Sequence, residues 1–254
     1  MQKFEDVAYT PYEKKLFEKM RVCILLPVMY DYPKFWRSLV NMICFSWHQG
    51  LKVEEMAMTE RTVVDWARND LAREAVKRVN MYDGKLFTHL LWLDTDTIFK
   101  PDLLCQLARH DVDAVSVTYY ARLYPHKPLI YIRNKKDPEG LSHFPLIDIP
   151  PMLVRVDAFG FGGCLMKRDV FERVSEPWFT LDYRAGEDIA FCSNARKYGI
   201  EFYCDGQYTV AHIGEQKIVT KTDYEKWYAD NLEAITANRE KVELGGKENG
   251  RCND

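Results

Sequence analysis

Seven residues, Phe87 to Leu93, form a nearly continuous apolar run that ends abruptly at Asp94-Thr95-Asp96. A run this short, with Leu90, Leu91 and Trp92 in succession, reads as a strand buried on both faces. Such a strand needs layers packed above and below it, which points to a parallel sheet held between helices. The surrounding segments agree. Val22-Cys23-Ile24-Leu25-Leu26 reads as a buried strand ended by Pro27, and Pro33 opens a helix to Trp47, with proline at the favoured first helical position. Leu51–Met58 reads as a strand. Apolar residues at 63, 64, 67, 71, 75, 76 and 79 predict a helix over Thr62–Val79. A helix at Pro101–His110 and a strand at Asp113–Tyr119 follow. This β-α-β-α-β-α-β order predicts an α/β fold with a doubly wound, mostly parallel sheet.

The rest of the chain is read more coarsely. Residues 1–20 form a lead-in with a short amphipathic helix, Tyr12–Lys19. The segment 121–150, rich in proline and basic residues, is a strand plus an excursion over the sheet edge. Two short strands flank Phe159-Gly160-Phe161-Gly162-Gly163. A helix at Glu187–Tyr198, strands at Glu201–Cys204 and Tyr208–Ala211 and a C-terminal helix at Tyr224–Arg239 complete a single domain, 21–243. The polar, glycine-bearing tail 244–254 reads as disordered.

Composition narrows the class. The 254 residues are 47% hydrophobic and 29% charged, with net charge −3, which excludes a chain that coats nucleic acid by bulk electrostatics. The longest apolar stretch, Val22–Tyr30, contains Pro27 and falls far short of the roughly 20 residues of a membrane-spanning helix. Met1-Gln-Lys-Phe-Glu-Asp6 holds no apolar signal region, and the seven cysteines include no Cys-x-x-Cys pair. Both point to a cytoplasmic protein with reduced, mostly buried thiols.

In open α/β sheets ligands bind beyond the carboxyl ends of the strands, so the residues just past each strand carry the chemistry. Asp94 and Asp96 project to one side of an extended segment, and side by side they repel unless a cation lies between them. They read either as ligands of a divalent metal that also holds a diphosphate or as turn-forming aspartates ahead of Pro101. Glu187 and Asp188 open a predicted helix. There they either complement the helix dipole or supply a general base for an acceptor hydroxyl. His212 follows a short strand and gains weight only from these neighbours.

Taken in order, Ala67-Arg68-Asn69, Asp94-Thr95-Asp96, Phe161-Gly162-Gly163-Cys-Leu-Met, Gly186-Glu187-Asp188 and His212-Ile-Gly214 resemble the GT-A-fold, nucleotide-sugar-dependent glycosyltransferases, most like the family 2 group. The resemblance spans about residues 21–215 and implies a GT-A fold with a small antiparallel extension. It places the nucleotide at Pro27, Val28 and Tyr30, with Tyr30 either stacking on the base or capping the core edge. Thr59, Arg68 and Asn69 would reach the base or ribose, although Arg68 also reads as a solvated helix charge. Asp94 would contact the ribose or a metal-bound water, with Asp96 and His212 as metal ligands. This donor set suits Mn2+, with Mg2+ as substitute. Gly162 and Gly163 either let backbone approach the donor sugar or form a bend. Lys217 and Lys221 either close over the diphosphate or are solvated.

The implied reaction is hexosyl transfer from a nucleotide-diphosphate donor, a UDP-sugar, to an acceptor hydroxyl, with Asp188 as base and inversion at the anomeric carbon. A nucleotidyltransferase would carry a Gly-rich, Lys/Arg-bearing loop after the first strand, where Pro27-Val-Met-Tyr-Asp-Tyr32 stands. A non-catalytic metal-dependent sugar-binding module would need neither a nucleotide site nor Glu187-Asp188. The acceptor is unread: a glycan is one class. The basic stretch with Arg122, His126 and Lys127 suggests a hydroxymethylated base in DNA, as for compact bacteriophage sugar transferases.

Overall fold

The structure is a computed structural model that describes residues 8–137, 142–181, 185–214 and 218–237; Lys217 and the predicted tail 244–254 lie outside them. The chain runs α1 (Pro11–Phe17), β1 (Arg21–Val28), α2 (Pro33–His48), β2 (Lys52–Glu60), α3 (Val64–Lys77), β3 (His89–Leu93), β4 (Thr97–Ile98), α4 (Leu103–Ala108) and β5 (Ala114–Thr118). It continues through β6 (Ile130–Arg133), β7 (His143–Pro145), β8 (Leu153–Val156), β9 (Ala158–Phe159), β10 (Gly163–Lys167), α5 (Val170–Arg173), α6 (Glu187–Arg196), β11 (Phe202–Thr209), β12 (Ala211–Ile213), β13 (Ile218–Val219) and α7 (Lys221–Asp230).

Seven strands form the central sheet in the order β2-β1-β3-β10-β5-β11-β8. The pairs β1–β2, β1–β3 and β5–β11 are parallel. β10 runs antiparallel to both β3 and β5, and β8 antiparallel to β11, so five strands share one direction and two oppose it. The predicted mostly parallel sheet is therefore present, with its reversals confined to the segment around the glycine run.

β3 explains the apolar run. Leu90 and Trp92 face one core with Leu71, Ala72 and Ala75 of α3, Phe171 of α5 and Phe191 of α6. Leu91 and Leu93 face the other with Phe17 of α1, Phe35, Leu39 and Met42 of α2 and Leu103, Leu104 and Leu107 of α4. β1 divides in the same way, with Cys23 and Leu25 on the first face and Val22, Ile24 and Leu26 on the second. No position of β3 is left for water, which is why alternation is missing from its sequence. Trp92 anchors the first core, its ring centroid 5.4 Å from that of Phe179 and 5.7 Å from that of Phe161.

Elsewhere the outcome differs from expectation in detail. Segment 121–150 contributes β6 and β7, which join β9 in a small antiparallel sheet ordered β7-β6-β9. The two strands predicted at Glu201–Cys204 and Tyr208–Ala211 are instead one strand, β11. Its register slips between Asp205 and Thr209, and a separate β12 holds His212 in mid-strand. Gly206 lies in the slip, where an added Cβ would stand 2.0 Å from the Pro150 carbonyl oxygen. Six of the cysteines are described; all are free thiols, and only Cys44 among them is exposed. No helix among the described residues is long and apolar enough to cross a membrane.

Asn69, expected near the nucleotide, is a clamp instead. Its Nδ2 donates to the carbonyls of Asp65 at 2.8 Å and Phe179 at 2.6 Å, and its Oδ1 accepts from the backbone amides of Trp178 at 3.0 Å and Phe179 at 3.1 Å. This buried amide ties α3 to the segment that carries Trp178 and Phe179 into the core. Asn69→Ala strands those backbone groups and is expected to destabilise the fold by about 2–4 kcal/mol, read from urea denaturation.

Candidate functional site

The parallel strands β1, β2, β3 and β5 all end at one edge of the sheet, and a cleft of about 350 Å³ opens there. Pro27, Val28 and Tyr30 line it from the end of β1, Thr59 from β2, Arg68 from α3, Asp94, Thr95 and Asp96 from the end of β3, Glu187 and Asp188 from α6, and His212 from β12. Residues far apart in sequence and expected at the site thus share one cavity, together with Arg122, Tyr119 and Thr62.

Arg68 is the keystone. It is 3% exposed, yet its Nη2 donates to Asp94 at 2.9 Å and its Nε to Glu187 at 3.0 Å. Its guanidinium lies over the Phe161 ring at 5.2 Å and the Trp92 ring at 5.8 Å. Burial alone would weaken its charge, but the carboxylates of Asp94, Glu187 and Asp188 outweigh that and hold it protonated. It is therefore neither a solvated helix charge nor a free ribose contact. The signal lay in the sequence: position 68 falls on the same stripe as 64, 71 and 75, the apolar face of α3.

Asp96 and His212 are brought together by backbone pairing. β12 runs antiparallel to β4, with His212 opposite Thr97, and the amide of Ile213 donates to the Asp96 carbonyl at 2.7 Å. His212 Nδ1 lies 2.8 Å from the Tyr120 carbonyl oxygen. A carbonyl only accepts, so Nδ1 carries the proton and Nε2 is turned toward Asp96 Oδ2, 3.3 Å away. A lone pair facing a carboxylate oxygen needs a proton or a cation between them. Asp96 Oδ1 is buried with no hydrogen-bond partner. Together these features fit a divalent cation held by Asp96 and His212, completed by ligand oxygens. Asp94 fits less well as a direct ligand, because Arg68 holds it; its place beside Asp96 suits a metal-bound water. No cluster of three or more His, Cys, Asp or Glu stands preassembled for a metal among the described residues. Burial tends to raise the Asp96 carboxyl, but a proton between it and His212 Nε2, with the charge of Arg122, brings it below the ordinary range. Burial raises Asp94, with Arg68 opposing.

Glu187 and Asp188 occupy the first turn of α6, as expected, and part company there. Glu187 is anchored by Arg68. Asp188 accepts a hydrogen bond from the Ile189 amide at 2.7 Å. Burial, then the neighbouring Glu187 charge, pushes its carboxyl up to about 7. Gly186 permits this pose, since an added Cβ would meet Asp188 Oδ1 at 2.9 Å.

The glycine run serves packing. An added Cβ at Gly162 would lie 2.9 Å from the Tyr119 ring and one at Gly163 2.9 Å from Val117. Neither glycine lines the cleft; both make room for the wall behind it, and the Gly162 amide donates to the Tyr119 hydroxyl at 3.0 Å. Tyr119 was missed in the sequence. Its ring packs edge-on to His212, centroids 5.4 Å apart. Thr95 Oγ1 donates to the Tyr30 carbonyl at 2.9 Å, fastening the end of β1 to the aspartate turn. Tyr30 is 62% exposed, and the Thr59 hydroxyl is buried without a partner.

Besides Asn69 and the two glycines, Lys221, His126 and Lys127 were expected at the site and do not line the cleft. Lys221, at the start of α7, is exposed and pairs with Glu225 at 3.6 Å. His126 is buried, its Nδ1 2.9 Å from the Ala121 carbonyl oxygen, and Lys127 is exposed. Arg122, by contrast, lines the cleft and pairs with Asp96 at 3.1 Å.

No family model matches the chain, and no curated protein sequence does either. Among solved structures, A197 from STIV is similar at TM-score 0.53 and 20% identity, over 79% of this chain and 94% of that one. GalNAc-T7, solved with UDP, GalNAc and Mn2+, is similar at TM-score 0.46 and 12% identity, over 76% of this chain and 43% of that one. At such identities the likeness is one of architecture: the chain has a GT-A-type fold, a mostly parallel sheet with antiparallel extensions.

Proposed function

We propose that the protein is a metal-dependent glycosyltransferase, family 2-like, which moves a hexose from a nucleotide-diphosphate donor, a UDP-sugar, to an acceptor hydroxyl. The observation that carries this reading is the pairing, in one cleft, of an Asp96–His212 cation site with a carboxyl, Asp188, whose proton affinity is raised to near neutrality. A nucleotide fits the remaining walls: Pro27, Val28 and Tyr30 for the base, Thr59 for a hydroxyl contact.

The residues divide the work. Asp96 and His212 hold the cation, Mn2+ or Mg2+, which as a Lewis acid stabilises charge on the departing diphosphate. Arg68 holds Asp94 and Glu187 in place. Asp188, free of that anchor, accepts the proton of the acceptor hydroxyl as the new glycosidic bond forms. Attack from the face opposite the diphosphate inverts the anomeric centre. Glu187, fixed by Arg68, sets the position of the α6 N-terminus. The acceptor itself has no residue assigned.

Thermal stability is the direct test. UDP and Mn2+ together are expected to raise the melting temperature, whereas either alone gives little; Asp96→Ala abolishes the joint shift. At 100 times its dissociation constant a ligand adds about 2.7 kcal/mol of stability, enough to read without ambiguity. No shift from any nucleotide with Mn2+ removes the transferase reading in favour of a sugar-binding module. Asp188→Asn is expected to keep the UDP·Mn2+ shift and lower turnover by about 100-fold or more. Because a base acts only when deprotonated, turnover rises with pH through about 7 and then levels, following the raised carboxyl. An unchanged pH profile in Asp188→Asn assigns the base elsewhere.

A further inference from the structure

Arg122 lines the cleft beside Asp96, and the transferase reading gives it no part. Its Nη1 donates to Asp96 Oδ2 at 3.1 Å, the same oxygen that His212 Nε2 faces at 3.3 Å. A guanidinium thus stands against the carboxylate where a divalent cation would bind. The two cannot share that oxygen, because like charges a few ångströms apart repel.

The surrounding loop shows which part can move. Its neck is fixed: the Ala121 amide donates to the Lys127 carbonyl at 2.9 Å, the His126 amide to the Leu123 carbonyl at 2.9 Å, and Tyr120 bridges Pro128. Tyr120 is itself stacked on Tyr224, centroids 4.8 Å apart. The Arg122 side chain, by contrast, is 50% exposed. The backbone pivot is held at the cleft wall, and the half-exposed guanidinium is the part with room to turn.

Building on the transferase reading, we propose that Arg122 is a resident cation that neutralises Asp96 until the divalent ion arrives, and then transfers to the diphosphate which that ion brings. A guanidinium suits both stations, because its forked donors match a carboxylate and a phosphate equally well. In this scheme metal and nucleotide bind as a couple: the ion alone must evict Arg122, whereas with the diphosphate the arginine gains a new partner. Arg122 is thus a diphosphate-binding residue of the loaded site as well as the occupant of the empty one.

The test is Mn2+ binding to the full chain, followed by the electron paramagnetic resonance signal of free Mn2+, for the wild type, Arg122→Gln and Arg122→Lys. Without nucleotide, Arg122→Gln is expected to bind Mn2+ about tenfold more tightly than wild type, the scale of one lost charge-assisted hydrogen bond. Arg122→Lys, which keeps the charge without the fork, falls between. In saturating Mn2+ the order inverts, and UDP binds Arg122→Gln about tenfold more weakly than wild type. Equal Mn2+ affinities in wild type and Arg122→Gln without nucleotide overturn the displacement while leaving the transferase reading standing. So does wild-type binding of UDP that is as tight in EDTA as in Mn2+, since Arg122 would then never leave. Failure of the wild type to bind Mn2+ or UDP in any combination removes both.

Discussion

A buried guanidinium sets the terms for the whole cleft. Arg68 is 3% exposed and joins α3 to the end of β3 through Asp94 and to the start of α6 through Glu187. Taking a charge out of water costs several kcal/mol, and only close, well-directed partners repay it. Here two carboxylates and two aromatic faces do so, and the arrangement fixes three elements against one another at the sheet edge. Among the described residues that line the cleft, Asp94, Asp96, Glu187 and Asp188 then face two guanidiniums, those of Arg68 and Arg122. The acid excess is relieved in two ways: Asp188 holds its proton to near neutral pH, and Asp96 lies against His212 and Arg122, where the proposed cation would add positive charge. One buried charge thus decides which acids are free for chemistry.

The second constraint is topological. β3 needs apolar layers on both faces, so its chain can meet solvent only where the strand ends, at Asp94. β4 follows two residues after, too short to stand alone, and β12 pairs with it. That register, rather than any side-chain attraction, brings His212 to Asp96. The Tyr120 carbonyl then orients the ring. A ligand built on strand pairing is held more rigidly than one on a loop, which is the property a metal site needs.

What was legible in the sequence was local or periodic. β1, β3 and α3 announced themselves through apolar runs and helical spacing, and the aspartate turn and the acids of α6 followed from their positions at element ends. What was not legible depends on contacts across the chain. Asn69 was expected at the nucleotide because the Ala67-Arg68-Asn69 step resembles that of the GT-A enzymes; its actual partners, Trp178 and Phe179, lie more than a hundred residues away. Gly162 and Gly163 looked like sugar-facing glycines, but the atoms crowding them belong to Tyr119 and Val117 of another strand and its exit. The pairing of Arg122 with Asp96 joins two loops that no periodicity relates. Arg68 is the instructive case between these: its place on the apolar stripe of α3 was readable, but a charged residue there has meaning only once its partners are known.

The division between Glu187 and Asp188 shows how one helix start yields two different acids. Both sit in the first turn of α6, where the dipole favours the ionised form of either. Were the dipole decisive, both would be ordinary carboxylates. Glu187 meets a cation and is bound to it. Asp188 meets burial, the charge of its neighbour and a single amide from Ile189, and the balance goes the other way. The proton that Asp188 retains is therefore a consequence of Arg68 having been claimed by its neighbours. If Arg68 were free to turn to Asp188 instead, its charge would draw the carboxyl down, and the proton affinity near pH 7 that the proposed role as base requires would be lost.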